Sequence, residues 1–213
     1  MNVRIVCIGG GGHAAVVIDL LQTLAERDDI TVVGFTDEAG TAQPVLGAPC
    51  VGTDAGLRDV VSAHGLTHFI IAVGSTTGGG DLRARLFARA EAAGLQPLTA
   101  LHPSAVIAGS ARIEAGSIVM AGTVVQPRTR IGRNVIVNTR ASIDHDCTIG
   151  DHAHIAPGAV LSGGVAVEDR CHIGAGCTVI QNVRIGRGAT VAAGATVVRD
   201  VAAGSVVKGT PAR

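Results

Sequence analysis

The sequence predicts a small Rossmann-like α/β domain followed by a parallel β-helix, within a chain of 213 residues. Strand-like and helix-like segments alternate through the first hundred residues, and an aliphatic residue recurs at every sixth position through the second half. The chain also contains three Phe but neither Trp nor Tyr. A core without large rings depends on Val, Ile, Leu and Ala, which favours a β-rich and repetitive interior.

The α/β domain is predicted over residues 1–101, because strands and helices alternate there as they do around a parallel sheet. Short aliphatic runs predict the strands, and longer segments with apolar residues three or four positions apart predict the helices. We expect strands over 3–8, 31–35, 68–73 and 98–101, and helices over 14–25, 53–64 and 82–93.

Four glycines, Gly9 to Gly12, separate the first strand from the first helix and are followed by His13. Their spacing approximates G-x-G-x-x-A, a pattern whose backbone amides bind a phosphate at the positive end of a helix. The acidic pair Asp37-Glu38 follows the second strand. A dinucleotide site and a purely structural turn both remain open, and His13 can either bind a ligand or cap the helix. A P-loop is excluded because no Gly-Lys-Ser/Thr follows the glycines.

The β-helix is predicted over residues 102–213 by sixteen consecutive hexads, and three hexads make one triangular coil. Small residues recur four positions after the aliphatic ones. Cys147, Cys171 and Cys177 share that position, so we expect them in the core as small hydrophobes. The repeating aliphatic residues are Ile107, Ile113, Val119, Val125, Ile131, Val137, Ile143, Ile149, Ile155, Leu161, Val167, Ile173, Val179, Ile185, Val191 and Val197.

The sequence Asp144-His145-Asp146 lies in the hexads, near a corner of the triangular prism that the stacked coils form. A carboxylate bonded to one nitrogen of an imidazole fixes the tautomer and supports proton uptake at the other nitrogen, which suits a general base. Adjacent residues of an extended chain point to opposite faces, so we expect at most one of the two Asp to reach the ring. A solvated corner with three polar residues is the alternative.

Two further histidines, His154 and His172, are separated by three full hexads and therefore lie one coil apart on the same face. They form either a structural ladder or part of a binding site. With His145 and His152 they could also supply zinc ligands, as histidines do in the hexapeptide prisms of γ-class carbonic anhydrases. Those enzymes carry no appended nucleotide-binding domain, whereas this chain devotes its first 101 residues to an α/β domain.

Charge and cysteine content narrow the class of protein. Seventeen basic and seventeen acidic residues cancel, which gives no sign of a nucleic-acid partner. We expect no membrane span, because no apolar run reaches the ~18 residues that one needs. The five cysteines have no paired spacing and indicate a reducing compartment, so we expect a cytoplasmic protein.

Five short motifs, spread over essentially the whole chain, indicate a known family. They are Gly-Gly-Gly-Gly-His at 9–13, Gly-Phe-Thr-Asp-Glu at 34–38, His-Pro-Ser-Ala at 102–105, Asp-His-Asp-Cys at 144–147 and Gly-Thr-Pro-Ala-Arg at 209–213. Together they resemble the bacterial sugar acyltransferases of the NeuD/PglD type. The resemblance implies a left-handed β-helix, a homotrimer, and acetyl-CoA as co-substrate between neighbouring prisms, with no metal.

The same resemblance implies an N-acetyltransferase acting on the amino group of a UDP- or GDP-linked 4-amino-deoxysugar in surface glycan biosynthesis. It assigns His145 as the general base and Asp146 as the carboxylate that orients it. The implied substrate-binding positions are Gly12, His13, Asp37, Glu38, Gly74 and Asn138, and the implied acetyl-binding positions are His154 and Gly163. Three alternatives remain open: an O-acetyltransferase of sialic acid, a non-catalytic nucleotide-sugar-binding scaffold, and a zinc enzyme similar to γ-carbonic anhydrase.

Overall fold

The computed structural model of the protein describes residues 3–75 and 80–213. Its contacts divide the chain into two compact units. The first comprises Met1–Gly74 and Arg83–Ala100, and the second comprises Ser75–Leu82 and Leu101–Arg213. Within the described residues no helix is long and apolar enough to cross a membrane.

The first unit is an α/β domain with a five-stranded parallel sheet, in the order β3-β2-β1-β4-β5. The direction of strand order reverses at β1, and the loops after β1 and β4 therefore open at the same edge of the sheet, where open α/β sheets bind ligands. The strands are β1 (Val3–Ile8), β2 (Ile30–Asp37), β3 (Cys50–Thr53), β4 (His68–Ile71) and β5 (Gln96–Pro97), and the helices are α1 (Gly12–Ala25), α2 (Leu57–His64) and α3 (Gly80–Ala92).

The alternation of strands and helices is confirmed, but β3 was not predicted. At its start the chain approaches β2 closely. The Phe35 amide donates a hydrogen bond to the Pro49 carbonyl oxygen at 3.0 Å, and a Cβ on Gly34 would collide with the same oxygen. Because β3 extends to Thr53, α2 begins at Leu57 and not at residue 53. The predicted strand over 98–101 has the wrong bounds. The last strand of this sheet is β5, which ends at Pro97, and residues 100–101 form a separate two-residue strand in a sheet of the β-helix.

The second unit is a left-handed parallel β-helix of hexapeptide repeats with three sheets; the hexads predict the parallel β-helix, and the family resemblance implies its left-handed sense. The sheets run β22-β19-β16-β13-β10-β7, β20-β17-β14-β11-β8 and β23-β21-β18-β15-β12-β9-β6. Each strand has two residues, and from β7 to β22 the second of them points into the core. The strands are β6 (Ala100–Leu101), β7 (Val106–Ile107), β8 (Arg112–Ile113), β9 (Ile118–Val119), β10 (Val124–Val125), β11 (Arg130–Ile131), β12 (Ile136–Val137), β13 (Ser142–Ile143), β14 (Thr148–Ile149), β15 (His154–Ile155), β16 (Val160–Leu161), β17 (Ala166–Val167), β18 (His172–Ile173), β19 (Thr178–Val179), β20 (Arg184–Ile185), β21 (Thr190–Val191), β22 (Thr196–Val197) and β23 (Val206–Val207).

All sixteen aliphatic residues of the repeat occupy the second, inward position of β7 to β22. Cys147, Cys171 and Cys177 are buried in the same core, and burial raises the pKa of Cys171 and Cys177 to about 11. The expectation that these thiols are core residues is therefore confirmed. The β-helix continues past the sixteenth hexad, because β23 pairs with β21. The period is irregular at this end, since Val201 and not residue 203 bridges to Ile185.

Candidate active site

His145 lies at a corner of the prism, in the turn between β13 and β14. Backbone hydrogen bonds to the coils on either side hold this turn: the Asp146 amide donates to Pro127 at 3.1 Å, and the Gly164 amide donates to His145 at 2.9 Å. The corner opens on a cleft of about 440 Å³. Its lining is polar and consists of Asp144, His145, Asp146, Ser162, Gly163, Gly164, Gln181 and Asn182.

The His145 ring is paired with the carboxylate that follows it in the sequence. Nδ1 lies 2.7 Å from Asp146 Oδ2, and 56% of the His145 side chain is exposed. Asp144 does not share this role, because its carboxylate accepts the backbone amide of His145 at 2.7 Å. A proton on Nδ1 donated to Asp146 leaves the lone pair on Nε2 free to take up a proton, which is the arrangement of a general base.

The Asp146 carboxylate also accepts two hydrogen bonds from Arg128, a residue that was not predicted from the sequence. Arg128 Nε and Nη2 donate to the two carboxylate oxygens at 2.6 and 2.7 Å. Hydrogen bonds from Arg128 and then from His145 hold the pKa of Asp146 well below its usual value, so the carboxylate is ionised at neutral pH. The spacing of one full coil between Arg128 and Asp146 is the signal that could have identified the arginine.

Gly163 packs directly against the His145 ring. A Cβ at this position would lie 2.7 Å from both Cε1 and Nε2 of His145, closer than side-chain carbons approach such atoms. The resemblance implied that Gly163 contacts the acetyl group. The structure adds a second requirement, since only a residue without a side chain leaves the imidazole in its present position.

His154 is buried, with 6% exposure, and both of its ring nitrogens are engaged within the second unit. Nδ1 lies 3.1 Å from the Ser75 carbonyl oxygen, and Nε2 lies 3.3 Å from Asn138 Nδ2. The ring stacks edge to face on His172, with centroids 5.2 Å apart. Burial lowers the pKa of His172, which favours the neutral form of this ring. The sequence offered no signal for the Ser75 contact.

In the first unit, three residues meet at the edge where the strand order reverses. His13 lies in the first turn of α1, which begins at Gly12, and a Cβ on Gly74 would lie 3.6 Å from the His13 Cβ. Burial, and after it the charge of Arg83, lowers the pKa of His13 to about 4, which leaves the imidazole neutral at pH 7. Arg83 was missed by sequence reasoning, because nothing in the pattern of α3 marks it.

Arg83 is fully buried, and its Nη1 donates to the Val73 carbonyl oxygen at 2.7 Å. Burial lowers its pKa to about 9, so the guanidinium still carries its charge at neutral pH. A buried cation, a neutral imidazole and the amide end of α1 together favour an anionic ligand such as a phosphate.

The acidic pair that follows the glycine loop divides into two environments. Asp37 ends β2, and its carboxylate accepts the Gly40 amide and lies 3.8 Å from Cys50 Sγ. Glu38 is exposed. The structure thus brings His13 and Gly74 together in the first unit, and His145, Asp146 and Gly163 in the second. Among the described ranges 3–75 and 80–213, no three His, Cys, Asp or Glu residues are grouped so as to hold a metal ion.

Comparison with known proteins matches both units. Residues 4–88 match the model of the PglD N-terminal domain, and residues 128–163 and 164–199 match the bacterial transferase hexapeptide model. The chain is 30% identical over 162 residues to a GDP-perosamine N-acetyltransferase of Escherichia coli, an alignment that covers 75% of this chain and 70% of that protein.

Solved structures are similar over nearly the whole of this chain. A histidine-to-alanine variant of GDP-perosamine N-acetyltransferase from Caulobacter crescentus, in complex with CoA and GDP-perosamine, matches with a TM-score of 0.90 and 38% identity, over 99% of this chain and 95% of that one. The acetyltransferase domain of PglB from Neisseria gonorrhoeae, in complex with acetyl coenzyme A, matches with a TM-score of 0.89 and 36% identity, over 100% and 99% of the two chains. The order of an α/β domain and a hexapeptide prism, the His145–Asp146 corner and these full-length matches show that the chain belongs to the NeuD/PglD-type family of sugar acetyltransferases.

Proposed function

We propose that this protein transfers the acetyl group of acetyl-CoA to the amino group of a nucleotide-linked 4-amino-deoxysugar, with GDP as the favoured nucleotide. The observation that carries the proposal is the His145 imidazole, bonded to an ionised Asp146 and facing an open polar cleft. The relatives that bind or act on GDP-perosamine support the choice of an amine acceptor and of GDP.

In the proposed reaction, His145 Nε2 accepts a proton from the sugar amine as the nitrogen attacks the thioester carbonyl. A C–N bond forms, the C–S bond breaks, and the CoA sulfur leaves and is protonated, so that the amide and the free thiol are the products. Asp146 keeps the proton of Nδ1 in place and stabilises the imidazolium that forms. We assign Asn138 and His154 to the placement of the acceptor or the acetyl group.

We assign the nucleotide diphosphate to the first unit, where Gly12, His13 and Gly74 surround the start of α1. Asp37 and Glu38 are proposed to accept hydrogen bonds from the base. The acidic pair serves the ring N–H groups of guanine or of uracil, so GDP is favoured by the relatives and not by these carboxylates.

Replacement of Arg83 by Met tests the phosphate assignment. We expect the KM for the nucleotide sugar to rise by about tenfold, while the KM for acetyl-CoA stays unchanged, because the buried positive charge that favours an anionic ligand is lost. The folded state disfavours the charged form of Arg83, whose pKa burial lowers to about 9, so at pH 7 the charge opposes folding. Arg83→Met also removes the hydrogen bond to the Val73 carbonyl, so we expect its melting temperature to stay close to that of the wild type. An unchanged KM for the nucleotide sugar would remove Arg83 from the site.

We further propose a homotrimer built on the uncharged face of the prism, defined by the outward residues of the six-stranded sheet. This face consists of Val106, Val124, Ser142, Val160, Thr178 and Thr196. Val106 and Val160 are 64% and 40% exposed. The outward residues of the five-stranded sheet include three arginines instead. An apolar stripe on a stack of rigid coils suits burial against a second copy.

Substitution of Val160 by Arg tests this assembly. We expect the mass measured by light scattering to fall from that of a trimer to that of a monomer, because three desolvated charges would be buried. The matched control is Thr148→Arg, which adds the same side chain to an exposed position of the five-stranded sheet. A trimer that survives Val160→Arg but not Thr148→Arg would place the interface on the other face.

The function itself is tested by thiol release from acetyl-CoA with GDP-, UDP- and dTDP-linked 4-amino-deoxysugars, with free sialic acid as the hydroxyl acceptor. We expect release with the GDP-linked amine and little with the others. Release with sialic acid alone would turn the assignment to O-acetylation, and acetyl-CoA binding without release from any acceptor would favour a scaffold. Since acetyl-CoA is a metabolite of the cytoplasm, we propose that compartment for the reaction.

A further inference from the structure

The corner that carries Asp146 is built from stacked residues of successive coils. Arg128 and Asp146 lie one full coil apart in the chain, and both have left-handed backbone, with φ of 64° and 60°. Their side chains therefore leave equivalent corners in the same direction. The Arg128 amide is itself fixed, because it donates to Ser110 Oγ of the preceding coil at 3.1 Å.

Both oxygens of Asp146 are occupied by the guanidinium, and one of them is shared. Arg128 Nε binds Oδ1, Arg128 Nη2 binds Oδ2, and Oδ2 also receives His145 Nδ1. A planar fork of this kind sets the rotation of the carboxylate as well as its position. Without it, an Asp side chain that is 42% exposed has other rotamers available in water.

We propose that Arg128 is a positioning residue for catalysis, which holds the Asp146 carboxylate in the orientation that His145 requires. This inference rests on the proposed acetyl transfer. The Arg128–Asp146 pair is not expected to stabilise the fold, because an exposed ion pair contributes little to the free energy of unfolding. The contribution of the pair is geometric: Oδ2 is presented to Nδ1, and Nε2 is thereby aimed into the cleft.

Arg128 also adds a positive charge beside the imidazolium that forms during the reaction. Two carboxylates, Asp144 and Asp146, are hydrogen-bonded to His145, and Arg128 is bonded to the same oxygen of Asp146 as the ring. Removal of Arg128 leaves the two carboxylates without an opposing cation, which favours the protonated ring. The acid limb of the kcat/KM profile should then move to higher pH.

The experiment compares Arg128→Gln and Arg128→Lys in the acetyl-transfer assay over a range of pH. For Arg128→Gln we expect kcat to fall by about 10- to 100-fold, and the acid limb of the kcat/KM profile to move to higher pH. Arg128→Lys keeps the positive charge, so we expect no shift of the acid limb. It loses the bidentate fork, so we still expect a fall in kcat, although a smaller one than in Arg128→Gln. The melting temperatures of both variants should match that of the wild type.

A matched control and a double variant separate positioning from general damage. Arg187 pairs with Asp169 at 2.6 Å, also one coil apart, at a corner that does not line the cleft. Arg187→Gln should leave kcat and the pH profile unchanged. Because Arg128 acts through Asp146, the double variant Arg128→Gln/Asp146→Asn should be no slower than Asp146→Asn alone.

Additive losses in the double variant, or full activity of Arg128→Gln with an unmoved acid limb, would overturn the proposal. Both readings require an active wild-type enzyme. A wild type that releases no thiol with any acceptor would contradict the proposed function instead, so the two failures are distinguishable.

Discussion

Replacement of His145 by Ala is expected to lower kcat by about 10²- to 10⁴-fold, the usual contribution of a general base. The imidazole is the group in the cleft whose free nitrogen can take the proton of the attacking amine, and Asp146 cannot replace it, because its carboxylate is ionised but lies behind the ring. The effect is measured as thiol release at saturating acetyl-CoA and nucleotide sugar.

Stability should hardly change in this variant. The His145 side chain is more than half exposed, and surface substitutions away from packed features usually alter the free energy of unfolding by no more than about 0.5 kcal/mol. His152→Ala is the control, since His152 also lies in a turn at a corner of the prism but does not line the cleft. Full turnover by His145→Ala would refute the mechanism and favour the binding scaffold.

Addition of one methyl group at Gly163 is expected to reduce kcat by about 100-fold. The new Cβ would lie 2.7 Å from two atoms of the His145 ring, while the backbone of Gly163 is tied by its carbonyl to the Asn182 amide at 3.0 Å. The ring is the part that can move, because it is exposed on one side. It should swing away from Gly163 and lose its aligned contact with Asp146.

The control for this variant is Gly109→Ala. A Cβ at Gly109 would meet no atom within 4 Å, and its backbone is not in the left-handed region. We expect Gly109→Ala to retain wild-type kcat and KM, and both variants to keep the wild-type melting temperature. If Gly163→Ala changed only the KM for the acetyl donor, then Gly163 would act in binding and not through the position of His145.

The β-helix was predictable almost residue by residue, because its geometry repeats in the sequence. Every coil requires an aliphatic residue at the same inward position, and sixteen such positions leave little freedom for another fold. The irregular end, where Val201 and β23 break the period, was not predictable, since a single turn that departs from the hexad has no repeat to reveal it.

The site was predictable in part. The pattern Asp-His-Asp pointed to His145 and to one of its neighbours, and only the turn geometry separates Asp146, which binds the ring, from Asp144, which binds the backbone. Arg128 follows from the period of three hexads once the register is known. Arg83 does not, because its burial depends on how α3 packs and not on any local pattern.

The β-helix also restricts which insertions and deletions the enzyme can tolerate. Arg128, Asp146 and Gly164 occupy the same corner in three successive layers. Gain or loss of one whole layer beyond them would lengthen or shorten the prism, respectively, and would leave the corner intact. A change of a single hexad within them would rotate each later corner onto the next face, and His145 would lose the neighbours that define it. Evolution of this scaffold can therefore vary its height freely, but only in steps of a full turn of the chain.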